Sequence, residues 1–374
     1  MGRRVLGGAP GRLYRAPPAE SSGYHSNHLL FVWSRGATRY TASLHRTFGR
    51  DTVAVLDALV GAMRPPMALR PVIQPPVGAE GSRVVGPSIR VGSDVSAIVA
   101  ARAGVWTTSY DSNRLVRIDP ATARAGRSWH LPLIRRDIGW GAAAVAAGGG
   151  IVWVANADDD SVIPVREVGG AGRPIRVGDG PESVAVTRCC TWVLDRFDRT
   201  LERVDPATRR AVVVADRVGR DPTAIAVGFG SVWTVDYGGK AVIRIDQRTA
   251  RRIARIPIGG RPGRITVGLG SVWTTNFSAG TVSRIDPRTN RVDATARAGE
   301  TPYGISVGLG SVWVADYRGG AVMRIDPLTL HVDEWIPAGV TPLDLAIAGR
   351  SLWVAEQQVG RVLRIVPGRG RPPV

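Results

Sequence analysis

Cysteine, lysine and histidine are scarce in this chain, and each scarcity excludes something. Its 374 residues include 2 cysteines, adjacent at Cys189 and Cys190. Two thiols build no disulfide framework and do not complete a closed zinc site. Neighbours in sequence are also awkward disulfide partners, so the pair reads as two small residues in a strand. The 5 histidines form no His-x-His pair and no His-Glu cluster, so no metal or cofactor is expected. No apolar run is long enough to span a membrane. The first residues are basic but lack an apolar core of signal-peptide length. As it stands the chain is expected to be cytoplasmic, and extracytoplasmic if it is a piece of a longer exported protein.

Lys240 is the only lysine, against 48 arginines, and the formal charge is +18. Such a balance permits binding to nucleic acid or acidic polymers. The excess is spread along the chain, however, and Arg in place of Lys is what a high-GC genome produces. A charge total by itself carries little functional weight.

Tryptophan is what the chain does have. Trp106, Trp153, Trp192, Trp233, Trp273, Trp313 and Trp353 follow one another at steps of 47, 39, 41, 40, 40 and 40 residues. A fixed period of this size marks a repeat fold, in which each unit buries its apolar face only against neighbours. The unit from Thr301 to Val340 reads as four short strands: residues 305–309, 310–316, 321–326 and 331–338. Gly and Pro punctuate the breaks. The runs are too short and too β-branched for helix. They are apolar on both faces, as Val312-Trp313-Val314-Ala315 shows, which suits sheets stacked radially between two others. Seven such units predict an all-β, seven-bladed β-propeller over residues 86–367. The last unit lacks a fourth strand, and a spare strand at 87–91 precedes the first. That strand is expected to close blade seven, with Ser88–Val91 beside Val362–Ile365, hiding the sheet edges.

The remaining segments are expected to be a disordered basic stretch (1–26), a small α+β fragment (27–64), a Pro- and Gly-rich linker (65–85) and a disordered tail (368–374). The fragment reads as a hairpin, Leu29–Trp33 with Arg39–Leu44, followed by a helix from Asp51 to about Met63. It weakly resembles the tail end of some bacterial extracytoplasmic domains.

The phrases GSVWTVDYGGKAVIRIDQRT (230–249), GSVWTTNFSAGTVSRIDPRT (270–289) and GSVWVADYRGGAVMRIDPLT (310–329) resemble the bacterial YVTN-type, YncE-like propellers. The repeats are also similar to those of the streptogramin B (virginiamycin B) lyases. The resemblance covers the propeller and implies the fold far more than an activity. No Trp-Asp dipeptide occurs, which separates the chain from WD40 repeats. Blade two departs by an insertion near Arg135–Gly141, and blade seven by Val366 in place of Asp.

Two repeated positions read as structural. Three residues after each Trp stand Ser109, Asn156, Asp195, Asp236, Asn276, Asp316 and Glu356, expected to cap their own strand-to-loop turns. Eleven residues after it stand Arg117, Arg203, Arg244, Arg284, Arg324 and Arg364, expected to face the indoles. Function belongs where the repeat breaks its pattern. The loops entering the innermost strands differ from blade to blade and open on one face of the channel. They supply Trp140, Tyr303, Arg136, Arg220, Arg264, Glu182, Glu300 and Asp344, a mixture of aromatics and charges suited to a small polar ligand, peptide, glycan or protein partner. The expectation is a monomeric, non-enzymatic binding scaffold.

Two other readings stay open. The lyase resemblance implies a histidine acid–base with a glutamate holding magnesium, but His130 and His331 fall in outer strands, so such a centre would be lost or altered. A DNA-binding, YncE-like propeller would need its basic residues gathered in one groove, with exposed aromatics for stacking.

Overall fold

The computed structural model describes the strand backbones at 3–6, 9–15, 28–35 and 38–45, and residues 81–134 and 141–368 in full. The chain divides into two units, Met1–Gln74 and Pro75–Val374. In the first, four strands form one antiparallel sheet in sequence order. The expected hairpin is present as His28–Arg35 paired with Thr38–His45. The stretch expected to lack structure instead holds Arg3–Leu6 and Ala9–Arg15. Arg3 pairs with Arg12 and Leu6 with Ala9, so the basic composition does not prevent strand pairing here. The helix expected from Asp51 lies outside the described residues.

The second unit is the propeller. The inner strands of its seven blades are Val95–Ala101, Ala142–Gly148, Pro181–Val186, Pro222–Gly228, Pro262–Gly268, Pro302–Gly308 and Pro342–Ala348. Each touches the next, and the last touches the first, so the ring is closed. Every sheet is antiparallel, and in six blades the strands follow sequence order from the centre outward, whereas blade seven takes its outermost pairing from the segment before blade one. In the sixth blade the order is Pro302–Gly308, Ser311–Asp316, Ala321–Ile325 and Val332–Pro337, close to the bounds read from the repeat.

The repeated tryptophans hold the ring together. All seven are at most 2% exposed. Each belongs to a cluster that joins its own blade to the next. Trp313 packs with Leu345, Leu352 and Val354 of blade seven. Trp353 packs with Val95, Ile98 and Val105 of blade one. Register places each of the six arginines opposite its Trp, for instance Arg324 opposite Trp313. Four guanidinium groups, of Arg244, Arg284, Arg324 and Arg364, lie 4.7–6.0 Å from the ring centres, within cation–π range. Arg244 and Arg284 also reach across to the next blade, donating to the carbonyls of Pro287 and Pro327.

Closure uses more chain than expected. Ile89 pairs with Val362 and Arg90 with Arg361. Arg83 and Val84, inside the expected linker, pair with Val366 and Ile365. Ser82 donates to Glu334 and accepts from the backbone N–H of Gly368 at 3.0 Å. The spare strand is therefore two short pieces, and the propeller begins near Ser82 rather than at 86. One short piece leaves half of the edge strand Arg361–Val366 unpaired, so the second is needed.

Cys189 and Cys190 are not in a strand. They lie in the loop between Pro181–Val186 and Thr191–Asp195, with Cys189 exposed and Cys190 buried.

Two outcomes test this account. Deleting residues 1–92 removes both closing pieces and should cause aggregation and an early melt, whereas deleting 1–80 should leave propeller melting unchanged. Equal melting of the two truncations would refute closure by this segment. Trp313→Ala should cost about 3–5 kcal/mol in denaturant unfolding, because the cavity opens between two blades that cannot collapse together.

Candidate functional site

All seven inner strands carry a register shift between their first residues and the rest. A β-bulge bends the strand and re-aims the side chains beside it. Here every bulge sits at the same end of the channel, where the blades differ in sequence. Glu182 and Tyr303 are the second residues of their strands, and Arg264 and Asp344 are the third residues of theirs. All four are half-buried. Arg264 of blade five is close enough to feel Glu182 of blade three, Tyr303 of blade six and Asp344 of blade seven.

Arg264 is the hub. Its guanidinium lies 5.1 Å from the Tyr303 ring centre, and Nη1 donates to the Thr223 carbonyl at 3.2 Å. Burial works against its charge, but Tyr303, Asp344 and Glu182 outweigh it and hold the group more firmly protonated than usual. Asp344 accepts the backbone N–H of Ile98 at 3.0 Å, a bond from blade seven to blade one. Burial raises its pKa, while Arg264 opposes the rise. Glu182 is raised as well, first by burial, with Asp221 and Asp158 adding to it and Arg264 and Arg196 opposing. Arg196 grips Asp221 through Nε and Nη2 at 2.7 and 3.3 Å, and lies 3.9 Å from Glu182. Tyr110 donates to Asp158 at 2.7 Å. Its pKa is raised by burial first, then by Asp158, Glu182 and Asp94. The mouth is thus locally rich in carboxylates although the whole chain is strongly basic.

The site residues read from the sequence fare unequally. Glu182, Arg264, Tyr303 and Asp344 come together. Arg220 and Glu300 are exposed on entry loops, and only their backbone N–H groups are engaged, by Asp236 and Asp316. Arg136 and Trp140 lie outside the described residues. Tyr110, Asp158, Arg196 and Asp221, not singled out from the sequence, stand beside Glu182. A signal for two of them existed: the residue four after each Trp is Tyr110, Arg196, Tyr237, Phe277 and Tyr317 in five blades. His130 is exposed on the outer strand of blade one, beside Arg114. His331 is exposed beside Asp333, just before the outer strand of blade six. Among the described residues, no three His, Cys, Asp or Glu side chains are placed to share a metal ion. No helix among them is long and apolar enough to cross a membrane.

The polar position three after each Trp reaches further than its own turn. Asp236 accepts from Gly239 in that turn at 3.0 Å, but also from Arg220 and Asp221 in the entry loop at 2.9 and 3.0 Å. Asp316 accepts from Glu300 and Thr301, and Glu356 from Val340. These carboxylates fasten the varied loops to the invariant scaffold.

No family model and no curated protein matches the chain. Solved structures do. A catalytically inactive virginiamycin B lyase from Staphylococcus aureus, solved with quinupristin, is 13% identical, with a TM-score of 0.66. The match covers 76% of this chain and 99% of that one. The selenomethionine form of the same lyase gives 15% identity and 0.63, over 73% of this chain and 95% of that one. The WD40 propeller domain of Doa1 gives 14% and 0.61, over 76% and 97%. The likeness is one of fold. It joins the chain to β-propellers of the lyase kind and equally to a WD40 domain whose repeat signature it lacks.

Blade three breaks the fastening pattern and yields a pH prediction. Asp195 receives only the Thr200 hydroxyl, at 3.0 Å, and its Oδ1 and the Oε2 of Glu202 are buried without partners. Burial, then Glu202, pushes the Asp195 carboxyl up to about 8 from 3.8. Between those values the folded chain keeps a proton that the unfolded chain has lost. Stability from this group is therefore full at the acid end and is lost as pH rises through about 8. Asp195→Asn should flatten the slope and raise the melting temperature at pH 8 relative to the parent, read by thermal unfolding across the window.

Proposed function

We propose that this propeller is a binding scaffold whose ligand site is the channel mouth built on Glu182, Arg264, Tyr303 and Asp344, with Tyr110 and Asp158 beside them. The reading rests on one observation above others: the blades share a buried Trp and a bulged inner strand, but the side chains they present at this rim differ. A repeat that needed only stability would repeat there too. The ligand is a small polar molecule, or the tip of a peptide, that carries a positive charge. Asp158, Glu182, Asp221 and Asp344 outnumber Arg196 and Arg264, and Arg196 is already held by Asp221. Tyr110 and Tyr303 add flat apolar area on which a cationic head can rest.

The test is a thermal-shift and calorimetric screen of organic amines, basic peptides, neutral glycans, carboxylates and short DNA. A cationic hit should weaken about tenfold or more in Glu182→Gln/Asp344→Asn, about 1.4 kcal/mol or beyond. Arg220→Ala/Glu300→Ala, on the exposed loops, should change it little. Binding of DNA or anions alone, or a cationic hit indifferent to the carboxamide pair, would reject this site.

A further inference from the structure

The repeat also breaks on the opposite face, at the turn between the inner and second strands. In six blades this turn spans two residues. Gly228 pairs with Ser231, Gly268 with Ser271 and Gly308 with Ser311. Blades one, two and seven pair Ala101 with Gly104, Gly148 with Ile151 and Ala348 with Ser351. Blade three alone pairs Val186 with Thr191, leaving a four-residue loop, Thr187 to Cys190. The left-handed turn residues of blade four, Phe229 and Gly230 at φ 53° and 67°, have no counterpart there. The loop is held by Thr187, whose N–H and hydroxyl both donate to the Cys190 carbonyl at 2.9 Å.

This loop brings two thiols together. The Sγ atoms of Cys189 and Cys190 are 2.6 Å apart, closer than unbonded sulfurs rest and not far above a disulfide length. The Thr187 hydroxyl oxygen lies 3.3 and 3.5 Å from the two sulfurs. Adjacent Cα atoms are about 3.8 Å apart, less than a disulfide normally spans. A bond between neighbours therefore closes a strained eight-membered ring, and strain makes it easily reduced. The thiols are also unequal. Cys189 is exposed, and hydrogen bonds from Cys190 and Thr187, with the charge of Arg203, lower its pKa. Cys190 is buried, and burial pushes it up to about 11. Arg203 stands opposite Trp192 in register, yet it makes no ring contact of the kind seen in blades four to seven and is exposed. Beside the loop is a shallow depression of about 440 Å³, lined by Thr187, Arg188, Gly149, Gly228 and Gln247. Cys189 itself is open to solvent.

We propose that Cys189 and Cys190 are a redox-modified pair, converted reversibly to a vicinal disulfide by exchange with a low-molecular-weight disulfide. The Cys189 thiolate attacks one sulfur of the small disulfide. A mixed disulfide forms at Cys189, and the first small thiolate leaves. Cys190 gives its proton to solvent and attacks Cys189 Sγ, forming the Sγ–Sγ bond and expelling the second small thiolate. Both leaving groups take up protons. Two protein thiols are oxidised and one small disulfide is reduced to two thiols. The asymmetry assigns attack to the exposed thiol and resolution to the buried one.

The experiment uses the full chain with oxidised glutathione as probe, quenched by alkylation and read by intact and peptide mass spectrometry without reductant. The expected product is one peptide holding both cysteines, lighter by two hydrogens, unalkylated, and restored by dithiothreitol. Cys190→Ser should stop at the mixed disulfide, heavier by one glutathione. Cys189→Ser should react about tenfold more slowly or less. A wild-type product that stays glutathionylated, forms a disulfide-linked dimer, or shows no reaction would overturn the proposal. The wild-type mapping decides the matter even if a serine variant fails to fold.

Discussion

The packing of one tryptophan per blade against the next blade is the constraint on which everything else depends. A four-stranded sheet of this size cannot bury both faces by itself. Each indole fills the space between two sheets, and the seventh, Trp353, lies on the strands of blade one. Because the ring is closed, no blade can tilt without opening a cavity beside two tryptophans, and interiors at this density do not deform continuously. The arginines opposite the indoles extend this coupling. They cover the ring on one side and, in blades four and five, bond the neighbouring blade's turn on the other.

A rigid ring allows its rim to vary. The bulges at the inner-strand starts are backbone features present in all seven blades, so the side chains they present can change without disturbing the sheets. In blades four, six and seven the carboxylate three after the Trp fastens the entry loop from below. The mouth thus has a repeated backbone and an unrepeated chemistry. Electrostatics there is local. Asp344 and Glu182 answer to burial and to Arg264, and the chain's overall positive charge does not set their protonation.

Blade three departs from its neighbours at both ends. At the mouth end, Asp195 lacks the entry-loop bonds of its counterparts and shares a buried space with Glu202. At the other end, a two-residue turn has become a four-residue loop carrying both cysteines. Its tryptophan remains buried all the same. The blade keeps the interaction the ring requires and changes what the ring does not.

The spacing of the tryptophans predicted seven blades, the punctuated unit predicted four strands in each, and the spare strand before the first unit predicted closure, because burial of a repeated apolar face is a local demand that each unit states in its own residues. Glu182, Arg264, Tyr303 and Asp344 could be named for the same reason: they interrupt a regular pattern. The sequence did not reveal that Arg83 and Val84 share in closure, since a two-residue strand has no periodicity to read. Nor did it reveal that Arg196, Asp158 and Tyr110 complete the mouth, or that Arg220 and Glu300 stand apart from it. Those outcomes were decided by the closed ring, which sets residues from distant blades across one narrow channel. The two cysteines teach the same lesson at short range. Their adjacency is plain in the sequence, but only the loop conformation turns one sulfur toward the other.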